Sequence, residues 1–173
     1  MWVAACTSSF RFLESTSPTI DMSDQASIAP LLPTLKWLGY GGLIPFFVLS
    51  LLALLSGGDT QAFATTALTL YGISIVTFVG AVSWGMALAS TAVPLAARKR
   101  LMIWSVAPSL VAVSLWFLPD TAPLGALAVL AILSYRMDQF HGRALGWPPA
   151  WIRLRLHLTI GVCLCLLPPF LIL

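Results

Sequence analysis

The residues in this chain that could do chemistry gather in one stretch. Arg136, Asp138 and His141 lie before a short turn, and Arg153, Arg155 and His157 lie after it. Groups of this kind at the edge of a bilayer pair across the joint between two helices. Asp138 with Arg153 or Arg155 would lock the helices together, and the remaining cations would form a seat for a headgroup or an anionic cofactor. The six residues are therefore read as an interfacial ion-pair or headgroup layer. His157 falls inside an apolar segment, where a neutral imidazole can bind a haem or chlorophyll metal. No second histidine faces it, and no metal is expected.

Enzyme signatures are missing. The sequence holds no carboxylate pair at acid–base spacing, no nucleophile beside a base and no glycine-rich phosphate loop. It has only six acidic residues in all. No catalytic residue and no cofactor are expected.

A second group of candidates sits in "YGISIVTFVGAVSWGMAL", residues 71–88. On a helical wheel Ser74, Thr77, Ala81 and Gly85 fall within about 80° of one another. Strips of small residues let membrane helices approach closely, so these four are expected to be a helix-packing face. Tyr71 and Phe78 border the strip on one flank and Trp84 on the other; any ligand groove in this segment would lie between them. Ile75, Val79, Val82 and Met86 form the opposite side, expected to face lipid.

These residues need elements to hold them, and composition says what those elements are. The chain has 173 residues, 59% hydrophobic and 9% charged, with a mean hydropathy of +0.94. A soluble domain carries about 25% charged residues, so this surface belongs in lipid. Five apolar segments approach the roughly 20 residues that cross a bilayer: Leu35–Leu55, Phe63–Ala89, Leu101–Leu118, Thr121–Phe140 and Leu154–Leu173. The connections are short. Gly57-Gly58-Asp59-Thr60 ends the first span, and Pro119-Asp120-Thr121-Ala122-Pro123 reverses the chain between the third and fourth. The fold class expected is all-α, a polytopic bundle of five transmembrane helices over residues 34–173.

Basic residues set its orientation. Arg11, Lys36, Arg98, Lys99, Arg100, Arg136, Arg143, Arg153 and Arg155 fall at one end of the spans, and Asp59 and Asp120 at the other. The positive-inside rule then gives a cytoplasmic N-terminus and a periplasmic C-terminus. The net charge of +3 is a topology signal and a contact for anionic lipid; no nucleic-acid partner is expected.

Residues 1–33 are polar and hold no span. They read as an interaction arm for a neighbouring protein or, because Met22-Ser23-Asp24 resembles a second start, as an upstream extension. Cys163 and Cys165 point about 200° apart on a helix and are read as small apolar residues. Pro45, Pro94, Pro108, Pro168 and Pro169 are read as structural, their lost hydrogen bonds compensated by neighbours.

"LGYGGLIPF" (38–46), "YGISIVTFVGAVSWGMAL" (71–88), "WSVAPSL" (104–110) and Asp138 followed by "PPAWIRLRLHLTI" (148–160) resemble domain of unknown function 3429. That family comprises small bacterial membrane proteins and is related to mitochondrial transmembrane protein 69. The resemblance implies a multi-pass protein of the bacterial inner membrane and brings no activity with it. Relatives often carry a histidine before the tryptophan of the second span, where this chain has Ser83. The expected function is a non-catalytic accessory subunit or assembly factor of a respiratory or photosynthetic membrane complex. Its partners would be membrane lipids and other integral membrane proteins. The alternative is a stand-alone protein that binds or transports a tetrapyrrole, quinone or lipid.

Overall fold

The computed structural model describes residues 29–89, 94–145 and 147–173, and no strand occurs among them. The chain divides between Leu32 and Pro33, and the unit Pro33–Leu173 carries everything that follows. The polar extension up to residue 28, with Arg11 and Met22, lies outside the described residues, as does the side chain of Arg143.

The first apolar run forms two helical pieces, α1 (Leu32–Gly41) and α2 (Leu43–Leu55). They meet at Gly42, whose backbone stays helical at φ −66° and ψ −16°. The Tyr71 hydroxyl donates to the Gly42 carbonyl at 2.9 Å and marks the joint. Next comes α3 (Gly58–Ala89), then α4 (Leu95–Ser114) with a 3-10 turn at Leu115–Phe117, then α5 (Ala122–Leu145) and α6 (Pro149–Ile172).

The turns follow their residues. Gly58 takes a left-handed φ of +57° as α3 starts, and Asp120 takes φ 53° between α4 and α5, a conformation that glycine and aspartate tolerate best. At the other end Arg98 donates from Nε to the Ala87 carbonyl at 2.8 Å and from its guanidinium to Leu88 at 3.2 Å. A cation suits the carbonyl end of a helix, which is the negative end of its dipole.

Packing sets α2, α3, α5 and α6 in a ring, with α4 lying outside against α3 and α5. Phe46, Leu68, Leu124, Leu127 and Leu166 centre the core, and a second cluster of Ala87, Leu101 and Trp147 ties the α3–α4 end to the α5–α6 turn. That cluster brings the cations of both connections, Arg98 to Arg100 and Arg153, to one end of the bundle.

Among the described residues, four helical segments are long and apolar enough to cross a membrane: Leu32–Leu55, Gly58–Ala89, Leu95–Phe117 and Pro149–Ile172. Their outer surfaces carry exposed bulk such as Trp37 (82%), Ile103 (75%) and Phe117 (84%). A continuous coat of this kind is stable against lipid and not against water, so the chain is a multi-pass membrane protein. The fifth helix, α5, has a polar C-terminal half with Arg136, Asp138 and Gln139. It is the helix most enclosed by the others: Leu124, Leu127, Ala128 and Leu130 are buried. Its neighbours are protein, so it needs less hydropathy than a helix facing lipid.

The inward face of α3 corrects the helical-wheel expectation. Ser74, Thr77, Ala81 and Gly85 are all exposed, and a Cβ on Gly85 would meet nothing within 4 Å. The face that packs is the opposite one: Gly72, Val76, Gly80, Ser83 and Ala87. A Cβ on Gly80 would collide with the Ser105 carbonyl oxygen of α4, and one on Gly72 would come within 2.8 Å of Leu127 on α5. Close helix approach does depend on small residues, but this helix has two such strips and the glycine-bearing one makes the contact.

Candidate functional site

The ring of helices does not close on itself. A cavity of about 450 Å³ runs between α1–α2, α3, α5 and α6, within the range of small-molecule sites. Facing stripes on two antiparallel helices form its long walls. From α5 come Leu127, Ala131, Ser134 and Asp138; from α6 come Trp151, Arg155, Thr159, Val162 and Leu166. The spacings of three and four residues keep each stripe on one face. Leu127 to Asp138 spans about 16 Å along the helix axis, and the wall changes along it from aliphatic to polar.

The polar end is built around one ion pair. Arg155 donates to Asp138 Oδ2 from Nε at 2.7 Å and from its guanidinium end at 2.6 Å, and both side chains are only 9% exposed. The Thr159 hydroxyl donates to the Arg155 carbonyl at 2.9 Å. Removed from water and fully paired, the two charges cancel, so this end is polar but neutral.

Around the pair lie donors without partners. The Ser134 hydroxyl and the indole N–H groups of Trp147 and Trp151 are buried and make no hydrogen bond among the described residues. All three residues line the cavity. An unsatisfied buried donor costs about 1–3 kcal/mol, so three in one place are a feature to account for. His141 is also buried: its Nδ1 lies 2.9 Å from the Met137 carbonyl, and its Nε2 has no partner among the described residues.

The cavity reaches the outside of the bundle between α1 and α3. Leu35 and Leu38 form one lip and Phe78, Val82 and Met86 the other. Leu38 and Phe78 are 70% and 65% exposed. Instead of closing on α3, α1 leans on α6, where Gly39 meets Leu158 and the Tyr40 hydroxyl lies 3.0 Å from His157 Nδ1.

The structure separates the residues singled out from sequence. Of the six in the polar layer, Asp138 and Arg155 come together and His141 is buried nearby, whereas Arg136, Arg153 and His157 are exposed. Tyr71, Phe78 and Trp84 do not share a groove. Tyr71 packs edge-on against Phe46 with ring centroids 4.8 Å apart. Trp84 donates to the Met102 carbonyl at 3.2 Å, and only Phe78 reaches the cavity. Ile75, Val79, Val82 and Met86, expected to face lipid, line the cavity instead. Ser83 is buried and lines it too. Sequence reasoning passed over Ser134, Trp147 and Trp151; two tryptophans four apart, beside a proline pair and one turn from Arg155, were the available signal. Among the described residues no group of three His, Cys, Asp or Glu is placed to hold a metal.

No curated protein and no solved structure matches this chain. A family model described as protein of unknown function (DUF3429) matches residues 32–171. The chain therefore belongs to that family.

Proposed function

We propose that this protein is a non-catalytic membrane protein that holds a lipophilic small molecule in the cavity between α1–α2, α3, α5 and α6. The observation that carries this reading is the cavity itself: about 450 Å³ of space, walled by Phe46, Val76, Leu127, Val162 and Leu166, with a neutral polar end. Its opening between α1 and α3 admits a molecule sideways from the bilayer.

The cations at one end of the bundle support a cytoplasmic N-terminus and a periplasmic C-terminus in a bacterial inner membrane. Photolabelling tests the binding reading. A diazirine-bearing alkyl probe in proteoliposomes should label peptides containing Val76, Ala131 and Val162, and excess unlabelled lipophile should suppress the labelling. Labels confined to the outward residues of α3 and α4, unaffected by competitor, would sink it.

One observation favours a second reading, an accessory subunit or assembly factor of a respiratory or photosynthetic complex. Ser74, Thr77, Ala81 and Gly85 form a small-residue strip on the outside of α3, open for a helix of another membrane protein. On that reading Gly85→Leu releases the protein from a complex isolated in mild detergent and leaves its own fold intact.

A further inference from the structure

We infer that the molecule held in the cavity is a neutral lipophile whose head bears a hydrogen-bond acceptor of the carbonyl type, seated against Trp147, Trp151 and Ser134. This inference rests on the reading of the cavity as a binding site and adds the chemical class of its occupant.

Three observations converge on it. First, the groups without partners that line the cavity are donors: the two indole N–H groups can only donate, and the Ser134 hydroxyl can donate as well. A ligand that satisfies them must offer acceptors. Second, among the described residues the one cation lining the cavity, Arg155, is already bonded twice to Asp138. An anionic head would meet a carboxylate and no free positive charge, whereas a ketone, quinone or ester oxygen carries no net charge into a low-dielectric site. Third, the polar groups sit at one end of a wall that is aliphatic for the rest of its length of about 16 Å. That length suits a chain of about ten to twelve carbons or a ring with a shorter tail. The opening beside Leu38 and Phe78 faces the side of the bundle, so such a molecule enters tail and head together from the membrane.

Two probes of like shape separate the acceptor from the cavity: 2-decyl-1,4-naphthoquinone, with two carbonyls, and 2-decylnaphthalene, with none. Both are titrated into the full-length protein in nanodiscs, with the indole nitrogens labelled with 15N. The quinone is expected to bind about five- to thirtyfold more tightly, corresponding to one or two net hydrogen bonds. It should move two of the seven tryptophan indole N–H resonances downfield, and the hydrocarbon should not. Trp147→Phe and Trp151→Phe should each remove one of those shifts and reduce the preference, while binding of 2-decylnaphthalene stays as in the unaltered protein and reports an intact cavity. Equal binding of both probes with unmoved indole resonances would overturn the acceptor class and leave the cavity reading standing. Displacement of the quinone by dodecanoate at equal concentration would overturn the neutral head. Saturable binding of neither probe would overturn both readings.

Discussion

Removing one partner of the Asp138–Arg155 pair should cost far more than removing both. The contacts are 2.7 and 2.6 Å, where an effective dielectric of 20 gives an attraction of about 6 kcal/mol. Desolvating each ion costs several kcal/mol, so the pair comes close to cancelling its own cost. Asp138→Asn leaves the guanidinium buried and uncompensated, and Arg155→Met leaves the carboxylate so; each should destabilise by about 3–5 kcal/mol. In a chain of this size that lowers the melting midpoint by roughly 6–20 °C, at about 2–4 °C per kcal/mol. The double variant Asp138→Asn/Arg155→Met buries no charge and should recover most of the loss. The assay is thermal unfolding of all three variants in one detergent, read as a double-mutant cycle with a coupling of about 3 kcal/mol or more. A double variant that falls by the sum of the two single losses would show that the two charges are not coupled. A single variant within about 2 °C of the parent would show that an unpaired charge costs little here.

The two small-residue faces of α3 separate in the same unfolding assay: Gly80→Leu should abolish a stable monomer because its side chain meets the Ser105 carbonyl. Gly85→Leu should leave the midpoint unchanged. Tyr71→Phe removes the hydroxyl bond to Gly42 and should cost about 0.5–1.5 kcal/mol, seen as a drop of a few degrees in the melting midpoint. Orientation is checked by membrane-impermeant thiol labelling of whole cells carrying Lys99→Cys or Asp120→Cys. The Asp120→Cys variant should label from outside and the Lys99→Cys variant only after lysis; the reverse pattern would invert the topology.

The helices were legible in the sequence because hydropathy and turn residues mark them directly. Thr121–Phe140 was expected where Ala122–Leu145 forms, and Phe63–Ala89 where Gly58–Ala89 forms. Apart from that of α5, the starts came earlier than hydropathy indicated, since first turns such as residues 58–61 are polar yet helical. The docking of α5 on α6 was also legible, as Asp138 was expected to pair with Arg153 or Arg155, both on α6. Which way α3 turns was not. A membrane helix surrounded by lipid and protein is apolar on every side, so no polar face orients it, and Ser74–Gly85 competed with Gly72–Ala87 as packing strips. The glycine pair Gly72 and Gly80, eight apart, was the better guide, because glycine permits an approach that serine and alanine do not. The cavity was illegible for a related reason: it is made by what four helices fail to fill, and its donors Trp147 and Trp151 look from sequence like interfacial anchors.

The central claim is that the space beside Ala131 takes a lipophile. Equilibrium binding of 2-decyl-1,4-naphthoquinone to the protein in nanodiscs, compared with Ala131→Phe and with empty nanodiscs, tests it most directly. The parent protein should bind the quinone saturably at one to one, and Ala131→Phe should lose that binding while melting at or above the parent's midpoint. Binding by the filled variant equal to the parent's, or uptake by the parent no different from empty nanodiscs, would contradict it.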